Sequence, residues 1–506
     1  MRKKVAALLC AIMCIAAFTG CSSAELGYLQ MGADLLTKME VSETKGTVNI
    51  ELDADAMKDY VAGISGVADE ATKEELSAFT GKKSAVIDYA IKMDMSTLAY
   101  QADLDITYAG TKYDLGDMYF GMKDGIYVSG KTVWGAYELT KAMVGENGAS
   151  YLKDENFAKD LKAITDGSGY INLMSMEEMG LTEEDLAEVI PTGGYGDLYA
   201  SAMDFYKNAF SGFTTNMVSE VSGGYKIKTD GKAVAQLFVD VLDYIGNNPD
   251  TVLAATTDYM MDVMKAMNTS EEDMASFKEE LEATAKDAAS FKAGVDQIKA
   301  AVEQGIAQPE VSKVLDSFSY ESTITKAGDG FNTVENFAIT DGGKSVLKIT
   351  GNSTVKASSG KIVMPANSVS TEDFEKKLTA LDDKYNPVNA VVALWGWEGD
   401  SEAMLTLDRA EESFFANANG VNFVEYVEED GRVYLPLRDI CEALGETVEW
   451  NNDEKTAYIV RDGEKTAMQG KIQDGKSFIS VRDFEKLGYT VAYEKVEDLK
   501  QVTVTK

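Results

Sequence analysis

Alternating apolar and polar positions in the first quarter of the chain predict a series of short strands. After a short amphipathic helix over 25–40, strands are expected at 46–53, 84–95, 98–108, 112–121 and 125–134. Turn-forming residues separate several of these strands, as at Ala109-Gly110 and at Lys123-Asp124-Gly125. Consecutive strands joined by tight turns predict an antiparallel meander.

A helical period follows from about 136 to 210 and returns from 232 to 305, with strands at 214–221 and 224–230 between the two helical blocks. The last helix is expected to begin at a Thr269-x-x-Glu272 capping box. Its core-facing positions are spaced by three and four residues and therefore share one stripe. They are Met274, Phe277, Leu281, Thr284, Ala288, Phe291, Val295, Ile298 and Val302. We interpret the stripe as packing on the protein's own sheet, with a two-stranded coiled coil as the alternative.

Strands resume at 317–326, 330–340, 344–356 and 360–364. Blocks of strands interrupted by blocks of helices, without βαβ units, predict the α+β class with an antiparallel sheet. We expect residues 26–370 to form one large domain, in which a single curved antiparallel sheet collects both strand blocks and carries the helices as insertions.

Residues 371–420 are expected to connect this domain to the last part of the chain. The segment contains a predicted helix at 371–381, a turn at Asn386-Pro387, and Trp395 and Trp397 on either side of a glycine. Residues two apart on a strand share a face. The two indoles are therefore expected together, either in a core or domain junction or as an exposed platform for stacking sugars.

An internal repeat fills residues 421–506. The seven residues from Val433 to Asp439 recur 44 positions later from Ser477 to Asp483, and each copy continues into a short helix and two strands. A unit of strand, helix, strand and strand is too small to bury a core alone. The two copies are therefore expected to pack together as a small α+β domain.

The first copy resembles the copper amine oxidase N-terminal-like ("stalk") domain. The matching residues are Tyr434, Pro436, Leu437, Arg438, Ala443, Leu444, Gly445, Val448 and Trp450. In the second copy Ser480 replaces the proline and Tyr493 replaces the tryptophan. The resemblance implies a non-catalytic appendage of exported bacterial surface proteins that mediates attachment. It implies no amine oxidation, because that chemistry uses copper held by histidines in a separate catalytic domain.

Two arginines mark equivalent positions in the copies. Arg438 and Arg482 each follow a strand, begin a helix and stand beside an aspartate. We expect their guanidinium groups to bond carbonyls or carboxylates between the copies, with capture of a ligand as the alternative. Together with Trp450, Trp395 and Trp397, they are the candidate interaction or structural residues.

The N-terminus has the three-part layout of an export signal. A basic start precedes an apolar run from Val5 to Phe18 that is shorter than a membrane-spanning helix. The sequence Phe18-Thr19-Gly20-Cys21 resembles the lipobox of bacterial lipoproteins. That resemblance implies removal of residues 1–20, acylation of Cys21 with chains such as palmitate, a short tether over 21–25, and attachment to the extracytoplasmic face of the cell membrane.

The predicted topology of the large domain, taken with this leader, resembles the LolA/LppX-type fold of lipoprotein carriers. In that fold a concave sheet holds acyl chains. The resemblance implies an apolar, lipid-like ligand as a possible occupant of the large sheet.

Composition excludes several classes of function. The 506 residues contain no histidine, which excludes Ser-His-Asp and Cys-His nucleophile pairs and histidine-ligated zinc or copper. The formal net charge of -36 repels nucleic acid. Cys10 and Cys14 lie in the leader, and Cys441 falls in the apolar phase of a short helix, where we interpret it as a buried structural thiol. No catalytic, cofactor-binding or metal-ligating residues are expected.

These observations predict a non-enzymatic, membrane-anchored surface lipoprotein whose stalk-type domain serves binding or assembly at the cell envelope. Its expected partners are the membrane, through the N-terminal lipid, and an envelope protein or a cell-wall polymer. Two alternatives stay open: a carrier or sensor of an apolar ligand held by the large sheet, and a hydrolase that uses two carboxylates.

Overall fold

The computed structural model describes residues 22–39, 41–64, 80–145, 149–175, 195–285, 288–386, 388–395, 402–409, 421–429, 432–461, 464–473, 475–496 and 499–505. The predicted leader with Cys21, all of Trp397 and the side chain of Trp395 lie outside the described residues. The described chain divides into two compact units. The first is drawn from Met1–Leu139 and Gly169–Val369, and the second from Thr140–Ser168 and Ser370–Lys506.

The first unit is built on a twelve-stranded sheet in the order β12-β6-β5-β4-β3-β2-β1-β11-β10-β9-β8-β7. Its strands are β1 (Val41–Asp53), β2 (Lys82–Asp94), β3 (Ala99–Tyr108), β4 (Thr111–Gly121), β5 (Gly125–Ser129), β6 (Tyr170–Met174), β7 (Val218–Val221), β8 (Gly224–Asp230), β9 (Phe318–Ala327), β10 (Gly330–Asp341), β11 (Lys344–Ala357) and β12 (Ser368–Ser370). Strand β1 pairs in antiparallel fashion with both β2 and β11 and so joins the two strand blocks into one sheet. The α+β class with a large antiparallel sheet is confirmed.

Helices precede, interrupt and follow these strands. The helices described are α1 (Ser23–Lys38), α2 (Ala54–Ala62), α3 (Gly130–Val144), α4 (Glu155–Ser168), α5 (Tyr195–Ala209), α6 (Gly231–Asn247), α7 (Pro249–Ala266), α8 (Glu271–Ala285), α9 (Ala288–Ile306), α10 (Pro309–Ser317), α11 (Thr371–Tyr385) and α12 (Leu437–Ala443). None of the helices in the described part of the chain is both long enough and apolar enough to span a bilayer.

Helix α1 begins at Ser23, inside the segment expected to be a tether. Ser22 and Glu25 form a reciprocal capping box at its N-terminus. Glu25 is fully buried and also accepts a hydrogen bond of 2.8 Å from the backbone N–H of Thr215. Among the described residues, the N-terminal helix is therefore tied to the folded body from its first turn.

Three predicted elements differ from the structure. The strand expected over 125–134 ends at Ser129, and α3 starts at the next residue. Trp134 and Tyr137, three residues apart on that helix, pair with ring centroids 5.3 Å apart. Strand β6 interrupts the segment predicted to be helical, since five residues are too few to reveal a period. Residues 360–364 form no strand, and Val363 is exposed to solvent.

The apolar stripe predicted for one long helix lies on α8 and α9, and residues 286 and 287 between them lie outside the described residues. Ser270, and not Thr269, caps α8, because its hydroxyl oxygen accepts the N–H of Asp273 at 3.1 Å. Phe277 packs with Met260 of α7, while Val295 lies in a cluster with residues of α6. In its described residues the stripe thus covers helices α6 and α7 rather than the sheet, and the interpretation that it packs on the sheet is wrong.

The second unit contains α4, α11, α12 and three small sheets with the orders β15-β14-β13-β24-β23, β16-β17-β22-β21 and β18-β19-β20. Their strands are β13 (Val388–Trp395), β14 (Glu402–Arg409), β15 (Val421–Glu425), β16 (Val427–Glu429), β17 (Arg432–Pro436), β18 (Thr447–Asn451), β19 (Thr456–Arg461), β20 (Glu464–Met468), β21 (Lys471–Gln473), β22 (Lys476–Ser480), β23 (Thr490–Val496) and β24 (Leu499–Thr505). Each repeat has the predicted succession of strand, helix, strand and strand. The helix of the second repeat is a 3-10 segment, Val481–Leu487.

We refer to residues 421–505 as the repeat module. Its core combines fully buried side chains from both copies, among them Leu435, Ile440, Ile479 and Phe484. Cys441 lies in the same core and is completely buried, as the sequence predicted. The two copies therefore share one hydrophobic interior.

Strands β13 and β14 come from the segment expected to be a connection. They lie between β15 and β24, and β13 pairs with β24 through contacts such as Val391 opposite Val504. In the first copy, β19 pairs with β20. Strand β24, the last strand of the second copy, therefore has β13 as its neighbour, just as β19, the last strand of the first copy, has β20.

Candidate binding groove on the repeat module

A local twofold axis relates the two copies. Strands β17 and β22 pair in antiparallel fashion with Leu435 opposite Ile479, and these residues are themselves 44 positions apart. Two further pairs flank this one, Tyr434 opposite Ser480 and Pro436 opposite Phe478. A shift of 44 positions converts Tyr434 into Phe478 and Pro436 into Ser480, so the repeat relates one flanking pair to the other. Because two antiparallel strands are related by an axis perpendicular to their sheet, equivalent residues of the two copies lie on the same face of the module.

An open groove of about 380 Å³ lies where the copies meet. The first copy contributes the strand-to-helix junction and the ends of β18 and β19, and the second contributes the turn before β22. The lining residues are Pro436, Leu437, Arg438, Asp439, Val448, Trp450, Ala457, Gly475, Lys476 and Ser477. We call this the Trp450 groove.

Trp450 is the large apolar surface of the groove. It shares a strand face with Val448 and lies opposite the buried Ala457, so its side chain points toward the core side of the sheet. Because it stands near the end of β18, 39% of the residue remains exposed. Large apolar side chains exposed in a concave site are typical of binding surfaces.

The charges around the groove are paired. A guanidinium nitrogen of Arg438 lies 3.0 Å from the carboxylate of Glu442, one helical turn further along. The ammonium group of Lys476 lies 3.8 Å from the carboxylate of Glu425. With Asp439 also on the rim, donors and acceptors of both signs surround the indole.

The second copy repeats this arrangement with changed residues. Tyr493 stands where the first copy has Trp450 and is 59% exposed. Arg482 pairs with Glu485 at 2.9 Å, and Arg432 occupies the position equivalent to Lys476. The twofold axis therefore places a second aromatic residue and a second pair of cations on the same face of the module.

A polar cluster joins the copies beneath these surfaces. Glu446, only 8% exposed, accepts hydrogen bonds from the guanidinium of Arg461 and from the hydroxyl of Tyr489. Arg461 also donates to the backbone carbonyl of Leu487 in the other copy, at 2.6 Å. Burial, together with the hydrogen bond to Glu446, raises the pKa of Tyr489 well above its ordinary value of 10.0.

The structure separates the candidate residues by role. Arg438 and Arg482 bond carboxylates within their own helical segments, and bonds between the copies are made by Arg461 and by the Tyr489–Glu446 pair instead. Trp450 lies in the groove. Trp395 ends β13, while Trp397 and Cys21, the predicted site of acylation, lie outside the described residues.

Sequence reasoning missed Glu446 and Tyr489, although the repeat carried a signal for them. They follow the glycines of the two Leu-Gly pairs and are equivalent positions that differ in chemistry. Gly445 and Gly488 adopt positive φ angles of 77° and 88°, which ends each helical segment and turns the next residue inward. Aligning the two copies residue by residue pairs Glu446 with Tyr489, a carboxylate with a hydroxyl, and this difference was the available signal.

The large sheet of the first unit has two chemically different faces. Apolar side chains on one face of β2, β3 and β4 are neighbours across the strands and are only half-buried; they include Ile87, Tyr89, Ile91, Leu104, Ile106, Met118 and Phe120. The opposite face carries carboxylates in direct cross-strand pairs, Asp88 with Asp105 and Asp103 with Asp117. Among the described residues, no cluster of cysteine, aspartate or glutamate side chains is arranged to hold a metal ion.

Comparison with known proteins finds a family similarity that covers part of the repeat module. No curated protein and no solved structure matches the chain. A family model described as the copper amine oxidase N-terminal domain matches residues 415–473, which span the first copy and the start of the second. The match concerns the non-catalytic N-terminal domain of those oxidases and not their catalytic domain. Over these residues the chain is therefore similar to a stalk-type domain.

Proposed function

We propose that the chain is a non-enzymatic lipoprotein of the bacterial cell surface, and that its repeat module binds another component of the cell envelope. The observation that carries this proposal is the Trp450 groove, which places an exposed indole among paired charges. Trp450 and Arg438 lie within the segment that matches a non-catalytic domain family. This combination suits recognition rather than bond breaking.

The sequence supports the attachment to a membrane. Cys21 directly follows an apolar run and a small residue, as an acylated cysteine does. Each methylene buried in the bilayer contributes about 0.8 kcal/mol, so the two acyl chains of a lipidated cysteine hold a folded body durably at the surface. Because α1 starts at Ser23, the first unit would be held close to the lipid.

Attachment is tested by replacing the acylated cysteine. Cys21→Ser should leave the chain unprocessed or release it from the membrane fraction, as measured by fractionation and metabolic labelling with a palmitate analogue. Cys14→Ser, the same change inside the leader, is the matched control and should stay labelled and membrane-bound. Labelling and retention of the Cys21→Ser protein would contradict the lipid anchor.

Binding is tested by capture from an envelope extract. The mature chain should retain a component that a chain lacking residues 388–506 does not. The deletion starts at 388 because removing 421–506 alone would strip β13 of its partner β24 and expose an unpaired edge. Equal capture by both chains would contradict a binding role for the module.

The apolar face of β2 to β4 favours a second candidate function, in which the first unit carries an apolar ligand. The half-buried side chains on this face are contiguous across three strands, and ligands of lipid-like character would bury them further. If so, native mass spectrometry of the purified mature chain should detect a bound apolar molecule. Ile106→Asp should abolish the adduct, while Thr107→Asp, on the opposite face, should keep it. Absence of any adduct from the unsubstituted chain would reject this candidate.

A further inference from the structure

We propose that the repeat module binds a neutral polysaccharide chain at two equivalent places, with one sugar ring stacked on Trp450 and another on Tyr493. This inference rests on the proposed binding role of the module and names the class of its ligand. The argument has four steps.

The first step is the aromatic platform. The exposed part of Trp450 faces a groove large enough for a ring, and the adjoining wall is apolar through Pro436 and Val448. The C–H face of a pyranose ring is apolar and flat, so stacking on an indole removes apolar surface of both partners from water.

The second step is the rim of the groove. Arg438 and Lys476 donate hydrogen bonds and Asp439 accepts them, all within the lining of one groove. A sugar hydroxyl is both donor and acceptor. A sugar ring with several hydroxyls can therefore bond both the donors and the acceptor of the rim. A single charged side chain of a peptide would bond only the donors or only the acceptor.

The third step is charge. The cations of the rim are already paired, Arg438 with Glu442 and Lys476 with Glu425. The whole chain carries a formal charge of -36. A polyanion would therefore meet repulsion at long range without an uncompensated cation at the groove to offset it. A neutral chain meets no such repulsion.

The fourth step is the twofold repeat. Tyr493, Arg482 and Arg432 stand at the positions equivalent to Trp450, Arg438 and Lys476, and the axis through Leu435 and Ile479 keeps both sets on one face. A polymer offers identical rings at regular intervals. Simultaneous engagement of two weak sites by one chain raises the overall affinity through effective concentration.

The test is a titration of the full mature chain with an array of neutral oligosaccharides, hexose and N-acetylhexosamine polymers of increasing length, followed by calorimetry. We expect binding that strengthens with oligomer length. Trp450→Ala should weaken the affinity for the oligosaccharide by about tenfold or more, as loss of a central aromatic contact does. Trp450→Tyr should keep most of this affinity, because the ring for stacking is retained. Tyr493→Ala should remove the dependence on length. Ile472→Ala, an exposed apolar residue of the same module, is the matched control.

Three results would overturn the inference: no binding to any neutral oligosaccharide, binding that both aromatic substitutions leave unchanged, or retention of peptides or anionic polymers alone. Thermal unfolding of each variant verifies that it folds. If the array is negative while envelope capture still depends on residues 388–506, the ligand class is wrong and the proposed binding role stands.

Discussion

At the scale of single residues, a hydrogen bond between two equivalent positions that carry different residues joins the two copies. Glu446 and Tyr489 occupy equivalent places, and the hydrogen bond between them needs one acceptor and one donor. Two ionised glutamates would offer acceptors without a donor, whereas Glu446 and Tyr489 together supply both. Arg461 balances the buried carboxylate, which would otherwise be costly to desolvate.

The hydroxyl of Tyr489 predicts a change of stability at alkaline pH. Because the pKa of Tyr489 in the folded chain lies above its unfolded value of 10.0, its contribution is fully present below pH 10 and is lost as pH rises through the folded pKa. Tyr489→Phe should lower the free energy of unfolding by about 2 kcal/mol at neutral pH. The substitution should also make the free energy of unfolding fall less steeply above pH 10, as measured by urea unfolding at several pH values. Tyr493→Phe, which removes the hydroxyl of an exposed tyrosine of the same copy, serves as the comparison; an equal effect of both substitutions would contradict the role of the buried hydroxyl.

Cys441 predicts an inert thiol. Burial, reinforced by the nearby Glu446 carboxylate, raises the pKa of the Cys441 thiol to about 12, so almost no thiolate exists at neutral pH. In a chain without its leader and with Cys21→Ser, this is the sole cysteine. A thiol reagent should therefore label it only after unfolding in denaturant. Rapid labelling of the folded protein would show that the thiol is accessible.

At the scale of elements, the presence of a helix was easier to predict than the residues at which it begins and ends. Apolar spacing predicted a last helix that ends near 305, but its N-terminal cap was ambiguous because two adjacent hydroxyl residues, Thr269 and Ser270, were both eligible. The structure uses Ser270, whose hydroxyl oxygen accepts from Asp273 N–H and whose O–H donates to the Asp273 carboxylate at 2.6 Å. Periodicity alone does not distinguish caps one residue apart.

The choice of cap is testable by substitution. Ser270→Ala should lower the free energy of unfolding by about 1 kcal/mol, as loss of an N-cap does. Thr269→Ala should have a much smaller effect. Calorimetric unfolding of the two variants compares them directly, and the reverse ranking would assign the cap to the predicted capping box.

Strand β13 has a larger consequence for the limits of the module. The repeat in the sequence begins near 421, yet β24 pairs with β13, which lies upstream of that limit. A fragment of residues 388–506 should therefore unfold cooperatively at a higher temperature than one of residues 421–506, which leaves β24 without that neighbour. Equal midpoints in circular dichroism would mean that the added strands contribute nothing to stability.

At the scale of the whole molecule, local patterns predicted the class of fold and the existence of the repeat. The strand blocks were recognisable because tight turns such as Ala109-Gly110 delimit them, and the copies because Val433–Asp439 recurs. Contacts distant in the sequence were not predictable in this way. The insertion of β13 beside β24 joins residues more than a hundred positions apart, and the Trp450 groove combines residues of both copies.

The position of β13 also determines how the second unit would bear mechanical load. In a chain held at its N-terminal end and gripped at the repeat module, tension would reach the module through β13. That strand is the middle member of a five-stranded sheet, flanked by β14 and β24. Pulling it out in shear would rupture two ladders of backbone hydrogen bonds at once, whereas an edge strand would peel away from one. A central position therefore makes β13 harder to extract by force than an edge position would.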